Sequence, residues 1–202
     1  MLRGVIAQCP GLDSKLIDDV IVGCAMPEAE QGMNIARIGL LLAGLPDSVP
    51  GMTINRFCAS GLQAVAQAAD RIRLGEADLM IAAGAESMTM IPMGGNRIAL
   101  NPAIFETDEN ISIAYGMGLT AENVAREWKI SREDQDGFAM ESHRRAAVAM
   151  AKGEFRQEIL PVTVIERLPD PRIMQVQIRE RGVEHDEGPV SYTHLRAHET
   201  VL

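Results

Sequence analysis

Met52-Thr53-Ile54-Asn55-Arg56-Phe57-Cys58-Ala59-Ser60-Gly61-Leu62-Gln63-Ala64 reads as a short strand, a turn carrying Cys58, and the opening of a helix. From Cys58 the apolar positions Leu62, Val65, Ala66, Ala69 and Ile72 recur at helical spacing as far as Gly75, and Leu79-Met80-Ile81-Ala82-Ala83-Gly84 then forms a continuous apolar run of strand length. Upstream, Val20-Ile21-Val22-Gly23-Cys24-Ala25 is a β-branched run closed by Pro27, as expected of a buried strand. Asn34 to Gly44 predicts a helix, with Ile35, Ile38, Leu41 and Leu42 on one side and Gly44 and Pro46 as stop signals. Strands alternating with helices predict an α/β fold.

After Gly84 the pattern loosens. Met88, Met90, Met93, Gly94, Gly95 and Pro102 punctuate a region without clean periodicity, which predicts loop or lobe. Thr120 and Ser131 are expected as helix N-caps, Ser131 with Asp134 three residues on, each followed by a short helix. Glu158 to Ile165 predicts a strand, with Pro161 arguing for an edge position.

The chain of 202 residues, 47% hydrophobic, is long enough for one substantial core or one core with a smaller lobe. Only 3% of residues are aromatic and the net charge is −9, which argues against nucleic acid as a partner. Cys9, Cys24 and Cys58 are widely spaced and show no CxxC pairing, so neither a disulfide framework nor a thiolate metal site is indicated. No stretch reaches the roughly 18 apolar residues of a membrane span. A cytoplasmic, unanchored protein in a reducing compartment is the expectation.

Cys58 has two readings. As a nucleophile it would profit from the start of a helix, where unpaired N–H groups and the partial positive charge favour a thiolate. Ala59, Ser60 and Gly61 leave room for an acyl group beside the sulfur. As a structural residue it would simply be small and buried.

The run Asn55 to Ala64 resembles the acyl-cysteine signature of the thiolase family nearly position for position. The resemblance continues through Gly75-Glu76-Ala77-Asp78, Ala83-Gly84-Ala85-Glu86-Ser87-Met88 and Met117-Gly118-Leu119-Thr120-Ala121-Glu122-Asn123-Val124-Ala125. Gly23-Cys24-Ala25, Gln31 to Arg37, Leu45 to Pro50, Ser131 to Asp136 and Asp186-Glu187-Gly188 extend it, so that it covers residues 1 to about 189.

The resemblance implies a layered α/β core with helices between sheets, only partly present here. Residues 1–90 would form the partial N-terminal core, 91–189 an incomplete substrate-covering loop lobe, and 190–202 an unrelated tail. It further implies an acyltransferase that cleaves 3-ketoacyl-CoA with CoA, giving acetyl-CoA and a shortened acyl-CoA, with Cys58 as catalytic nucleophile and acyl carrier. Coenzyme A would be a substrate, with no permanently bound cofactor and no metal. The full-length partner state would be a homo-oligomer, dimer or tetramer. Met117 falls where the family lines its pantetheine channel, although ordinary packing fits a methionine equally well.

Gly23-Cys24-Ala25 and Glu30 to Asn34 look more like the fatty-acid β-oxidation branch than the acetoacetyl-specific one. The alternatives are an acetyl-CoA acetyltransferase making acetoacetyl-CoA and a catalytically inactive fragment. The family's histidine in a Gly-His-Pro setting and its second cysteine, in a Gly-rich loop, are not in this sequence, so the 202 residues by themselves are expected not to turn over. Cys9 and Cys24 are assigned to packing, and His143 and His185 to the surface.

Beyond Pro189 the resemblance stops. Ser191-Tyr192-Thr193-His194-Leu195-Arg196-Ala197-His198-Glu199-Thr200 matches nothing in the family and is expected to stem from a frameshift or a sequence join. His194 and His198 have the spacing of paired ligands on a helix, but no further ligand pair accompanies them, and metal binding is not expected there. Deleting residues 190–202 should leave the melting temperature of the remainder unchanged. A fall of more than about 4 °C, the shift that about 1 kcal/mol produces in a chain of this size, would show instead that Tyr192 and Leu195 dock on a core.

Overall fold

A computed structural model describes residues 1–170, 172 and 174–189. The chain divides into two compact units, residues 1–99 and residues 100–202. The tail with His194 and His198 lies outside the described residues.

The first unit is α/β. Its elements are α1 (Leu2–Ala7), β1 (Asp19–Gly23), α2 (Ile35–Ala43), β2 (Gly51–Ile54), α3 (Ser60–Arg73) and β3 (Met80–Gly84). The strands form one parallel sheet in the order β2-β1-β3. As the central strand, β1 is covered on both faces, which is why it reads as an unbroken apolar run. Val20 and Val22 join Ala36 and Leu40 of α2, together with Ile17, Leu45 and Val49, in the main core. Gly23, pointing the other way, meets the first turn of α3, and Ile21 shares that face by the two-residue period of a strand. The helix α3 turns its short residues Ser60, Ala64 and Ala68 inward. Leu62, Val65 and Ile72 stay exposed on its other side.

Side-chain caps set the ends of these elements. Asn34 is the N-cap of α2, its Oδ1 accepting from Arg37 N at 3.2 Å. Asn34 Nδ2 also donates to Gly51 O at 2.8 Å, while Thr53 Oγ1 donates to Asn34 Oδ1 at 2.8 Å, which ties the helix start to β2. At the other end Gly44 takes a left-handed φ of 86°, and Arg3 Nε donates to Ala43 O at 3.1 Å, a cation on the negative end of the helix. Asp18 accepts from Asp78 N at 2.7 Å and Leu79 N at 3.0 Å, joining the entries of β1 and β3. The N–H groups of Leu79 and then Asp78 hold its carboxyl below the usual range. Arg71 of α3 pairs with Asp19 at 2.7 Å.

In the second unit two 3-10 turns, Pro102–Phe105 and Asp108–Ala114, precede α4 (Met117–Glu127), α5 (Arg132–Lys152) and the antiparallel pair β4 (Val162–Asp170) and β5 (Gln175–Val183). Ser131 is the N-cap of α5, accepting from Asp134 N at 3.1 Å and donating to Asp134 Oδ2 at 2.8 Å. Within α5, hydrogen bonds from Arg144 and then Arg145 hold Glu141 at about 2.

The structure departs from several expectations. Thr120 is not an N-cap: α4 begins three residues earlier behind Gly116, and the Thr120 hydroxyl donates to Gly116 O at 3.2 Å. A threonine inside a helix can satisfy its hydroxyl on the carbonyl four residues back, so residue type alone does not mark a cap. The helix after Ser131 is not short but runs for 21 residues. The helix expected from Cys58 starts at Ser60 instead. The predicted strand begins at Val162, one residue past Pro161. Cys9 is exposed, contrary to a packing role, whereas Cys24 is buried. His185 is exposed and His143 half-buried.

A Cβ built on Gly23 would lie 2.6 Å from both Gly61 N and Ser60 O, which are backbone atoms with nowhere to go. Gly23→Ala should therefore cost about 1–3 kcal/mol, the usual range for overpacking. Chemical denaturation of the two proteins checks this, and equal stability would mean that α3 can slide away freely.

Candidate active site

The residues between β2 and α3 form a tight turn at the carboxyl ends of the parallel strands, the side on which open α/β sheets bind their ligands. Phe57 takes φ +47°, a left-handed conformation rare for a bulky residue and one that persists only where the surroundings enforce it. Two side chains do so. Asn55 Oδ1 accepts from Phe57 N at 2.8 Å. Ser60 Oγ accepts from Arg56 N at 2.8 Å and donates to Phe57 O at 2.6 Å, while Ser60 N bonds the same carbonyl at 3.0 Å. Cys58 follows Phe57 directly and is exposed.

Glycines bring this turn down onto the sheet. Besides Gly23, Gly84 at the end of β3 sits against Gly61, where a Cβ added to Gly84 would lie 3.7 Å from Gly61 Cα. The helix start thus rests on the ends of β1 and β3 with no side chain intervening.

Beside the turn lies a polar cluster that sequence reasoning did not single out. Glu86 Oε2 accepts from Ala25 N at 2.6 Å and its Oε1 from Gln31 Nε2 at 2.7 Å. Gln31 is buried; its Nε2 also donates to Met26 O at 2.9 Å, and its Oε1 accepts from Ser87 N. The Cys24 sulfur is 4.0 Å from Glu86 Oε1. Burial pushes the Cys24 thiol up, and the neighbouring Glu86 carboxylate pushes it further, against a backbone hydrogen bond from Met26. Cys24 is thus held as a neutral thiol. Asn55 Nδ2 donates to Ala25 O at 2.9 Å, linking this cluster to the Cys58 turn. No local pattern marks Gln31, which follows Glu30, and Gln31 and the Glu86 and Ser87 it bonds are more than 50 residues apart.

Met117, the other residue singled out, is the first residue of α4 in the second unit and is exposed. A cavity of about 690 Å³ in that unit, lined by residues including Met150, Phe155, Ile159 and His185, includes neither Met117 nor Cys58. Among the described residues no group of three or more His, Cys, Asp or Glu could hold a metal ion, and no helix is long and apolar enough to cross a membrane.

A parallel α/β sheet that presents an exposed cysteine on an enforced strand-to-helix turn defines a thiol-presenting α/β protein. The family model for the thiolase N-terminal domain matches residues 1–188. The 3-ketoacyl-CoA thiolase of Bacillus subtilis (strain 168) is 52% identical over 174 residues, 85% of this chain and 43% of that protein. The beta-ketoadipyl-CoA thiolase of Pseudomonas aeruginosa is 41% identical over 217 residues, 97% of this chain and 50% of that protein. A 3-oxoadipyl-CoA/3-oxo-5,6-dehydrosuberyl-CoA thiolase of Escherichia coli (strain K12) is 45% identical over 177 residues, 81% and 44% of the two chains. The chain belongs to the thiolase family. It spans about half the length of these curated relatives.

Removing the Ser60 hydroxyl should take away the acceptor of Arg56 N and a donor to Phe57 O. Ser60→Ala is expected to cost about 0.5–1.5 kcal/mol for each hydrogen bond lost, the net worth of a typical intramolecular bond, read as a lower denaturation midpoint. Unchanged stability would show that Asn55 alone enforces the turn.

Proposed function

We propose that the chain is the nucleophile-bearing part of an acetyl-CoA C-acyltransferase, with Cys58 carrying the acyl group. The supporting observation is the exposed Cys58 on a turn fixed by Asn55 and Ser60 at the start of α3. The thiolate adds to the C3 carbonyl of a 3-ketoacyl-CoA, and the bond between C2 and C3 breaks. Its electron pair leaves on C2, which takes up a proton and departs as acetyl-CoA. The shortened acyl group remains as a Cys58 thioester. The thiol of a second CoA then attacks that carbonyl, and the carbon–sulfur bond to Cys58 breaks. Two moderate steps replace one difficult one.

The proton transfers call for groups outside these 202 residues, so turnover needs the rest of a thiolase, and the chain alone is proposed to be inactive. Degradative cleavage of fatty-acid 3-ketoacyl-CoA is the preferred reading, since the Bacillus subtilis 3-ketoacyl-CoA thiolase shares more identity with the chain than the adipyl-type relatives named above. Acetoacetyl-CoA synthesis is the second reading, favoured by the same cysteine chemistry run in reverse. Coenzyme A enters as substrate, Met117 is proposed to line its path, a homo-oligomer is the proposed assembly, and a reducing cytoplasm the proposed setting.

The test joins this chain to the C-terminal half of the Bacillus subtilis relative and incubates the product with 3-ketoacyl-CoA before intact mass measurement. An acyl adduct is expected with Cys58 and none with Cys58→Ser, whose alcohol is far less ionised than a thiol. An adduct of undiminished yield on the Ser protein overturns the assignment. Faster turnover of long-chain 3-ketoacyl-CoA than of acetoacetyl-CoA favours the degradative reading, and the reverse favours the synthetic one.

A further inference from the structure

We propose that Glu86 is a positioning residue for Cys58, acting through Ala25 and Asn55; the proposal rests on the reading of Cys58 as the acyl carrier. The connection is continuous. Glu86 Oε2 holds Ala25 N–H at 2.6 Å. The carbonyl of the same residue accepts from Asn55 Nδ2 at 2.9 Å. Asn55 Oδ1 in turn holds Phe57 N–H at 2.8 Å, at the left-handed residue immediately before Cys58.

Asn55 is oriented by this arrangement. Its amide nitrogen faces a carbonyl and its oxygen faces an N–H, so turning the group over would lose both bonds. The position of Ala25 therefore sets that of Phe57 N–H. Ala25 follows β1 immediately past Cys24, and Glu86 holds it from the loop after β3. The carboxylate is itself held on its second oxygen by Gln31, a buried side chain bonded to both Met26 and Ser87. Loops after all three strands thus converge on the turn that carries the nucleophile.

The role requires two acceptor oxygens. A carboxamide at the same place has one oxygen and one NH2, so it must aim a donor at either Ala25 N–H or Gln31 NH2. Glu86→Gln keeps the shape and breaks the function. Glu86→Asp keeps both acceptors on a shorter arm.

Two readouts test the proposal, both on this chain joined to the C-terminal half of the Bacillus subtilis relative. The first is transfer of an acetyl group from acetyl-CoA to Cys58: the Cys58 sulfur bonds the acetyl carbon, the bond from that carbon to CoA sulfur breaks, and CoA leaves with the proton. It is followed by intact mass against acetyl-CoA concentration. Glu86→Gln should lower the limiting rate by about tenfold or more while leaving the half-saturating concentration within about twofold, the pattern of lost orientation and not of lost binding. Glu86→Asp should recover part of the rate. The second readout is amide exchange, which should quicken about tenfold at Phe57 in the Gln protein. Wild-type values of both in Glu86→Gln overturn the proposal. If the unaltered joined protein takes up no acetyl group, it is the acyl-carrier reading that fails, and Phe57 exchange alone decides the connection: faster exchange in the Gln protein supports it, and unchanged exchange overturns it. Should Glu86→Gln lose its cooperative melt, Asn55→Asp carries the exchange test, because it keeps the oxygen facing Phe57 and removes the donor to Ala25.

Discussion

At Gly23 the backbone of β1 touches the first turn of α3 with no side chain between them. That approach fixes where α3 begins, and with it where the preceding turn must stand. β2 ends at Ile54 and α3 begins at Ser60, so five residues must carry the chain from the edge of the sheet to a helix start pressed against its centre. A left-handed Phe57 is how the chain closes the distance. The cost of that conformation is met locally, by Asn55 on its N–H and by Ser60 on its carbonyl. Strain of this kind persists where the surroundings over-determine it, and it clusters at functional sites, where a particular side-chain direction matters.

How much of this the sequence revealed follows from the range of each interaction. The central strands and the two helices between them were legible because their signals are local: β-branched runs, three- and four-residue apolar spacing, Gly44 as a stop. The turn that carries Cys58 was legible because its strand, turn and helix are contiguous. The cap at Thr120 was misread because a hydroxyl has two local outlets, the free N–H ahead and the carbonyl behind. The second strand of the β4–β5 pair was missed because Arg179-Glu180-Arg181 breaks the alternation that Val176 and Ile178 begin. The helix α1 was missed because six residues are too few to display a period.

The polar cluster around Glu86 was hidden for a different reason. Each of its bonds to Gln31 and Ala25 spans more than 50 residues, and nothing in a linear reading pairs a glutamate after one strand with a backbone N–H after another. A parallel sheet makes such pairings systematic. Its strand ends all lie on one side, so the loops that follow them are neighbours in space whatever their distance along the chain. Polar residues one to three positions past a strand end, here Ala25's backbone, Asn55 and Glu86, are therefore the ones to examine together once the strand order is known.

The two thiols on this sheet show how far position outweighs residue type. Cys24 and Cys58 each follow a strand by a few residues, and both belong to the part of the sequence that resembles the family signature. Cys24 lies within the core, where burial and the adjacent Glu86 carboxylate both favour the uncharged thiol. Such a sulfur neither ionises readily nor meets a ligand, and it is left to fill space and lean on Glu86. Cys58 stands on the turn between β2 and α3, exposed, on a backbone whose direction is fixed by Asn55 and Ser60. The same carboxylate is therefore placed to serve the two sulfurs in opposite ways. It suppresses ionisation of the buried thiol by direct contact. It reaches the exposed one only through Ala25 and Asn55, as a constraint on geometry.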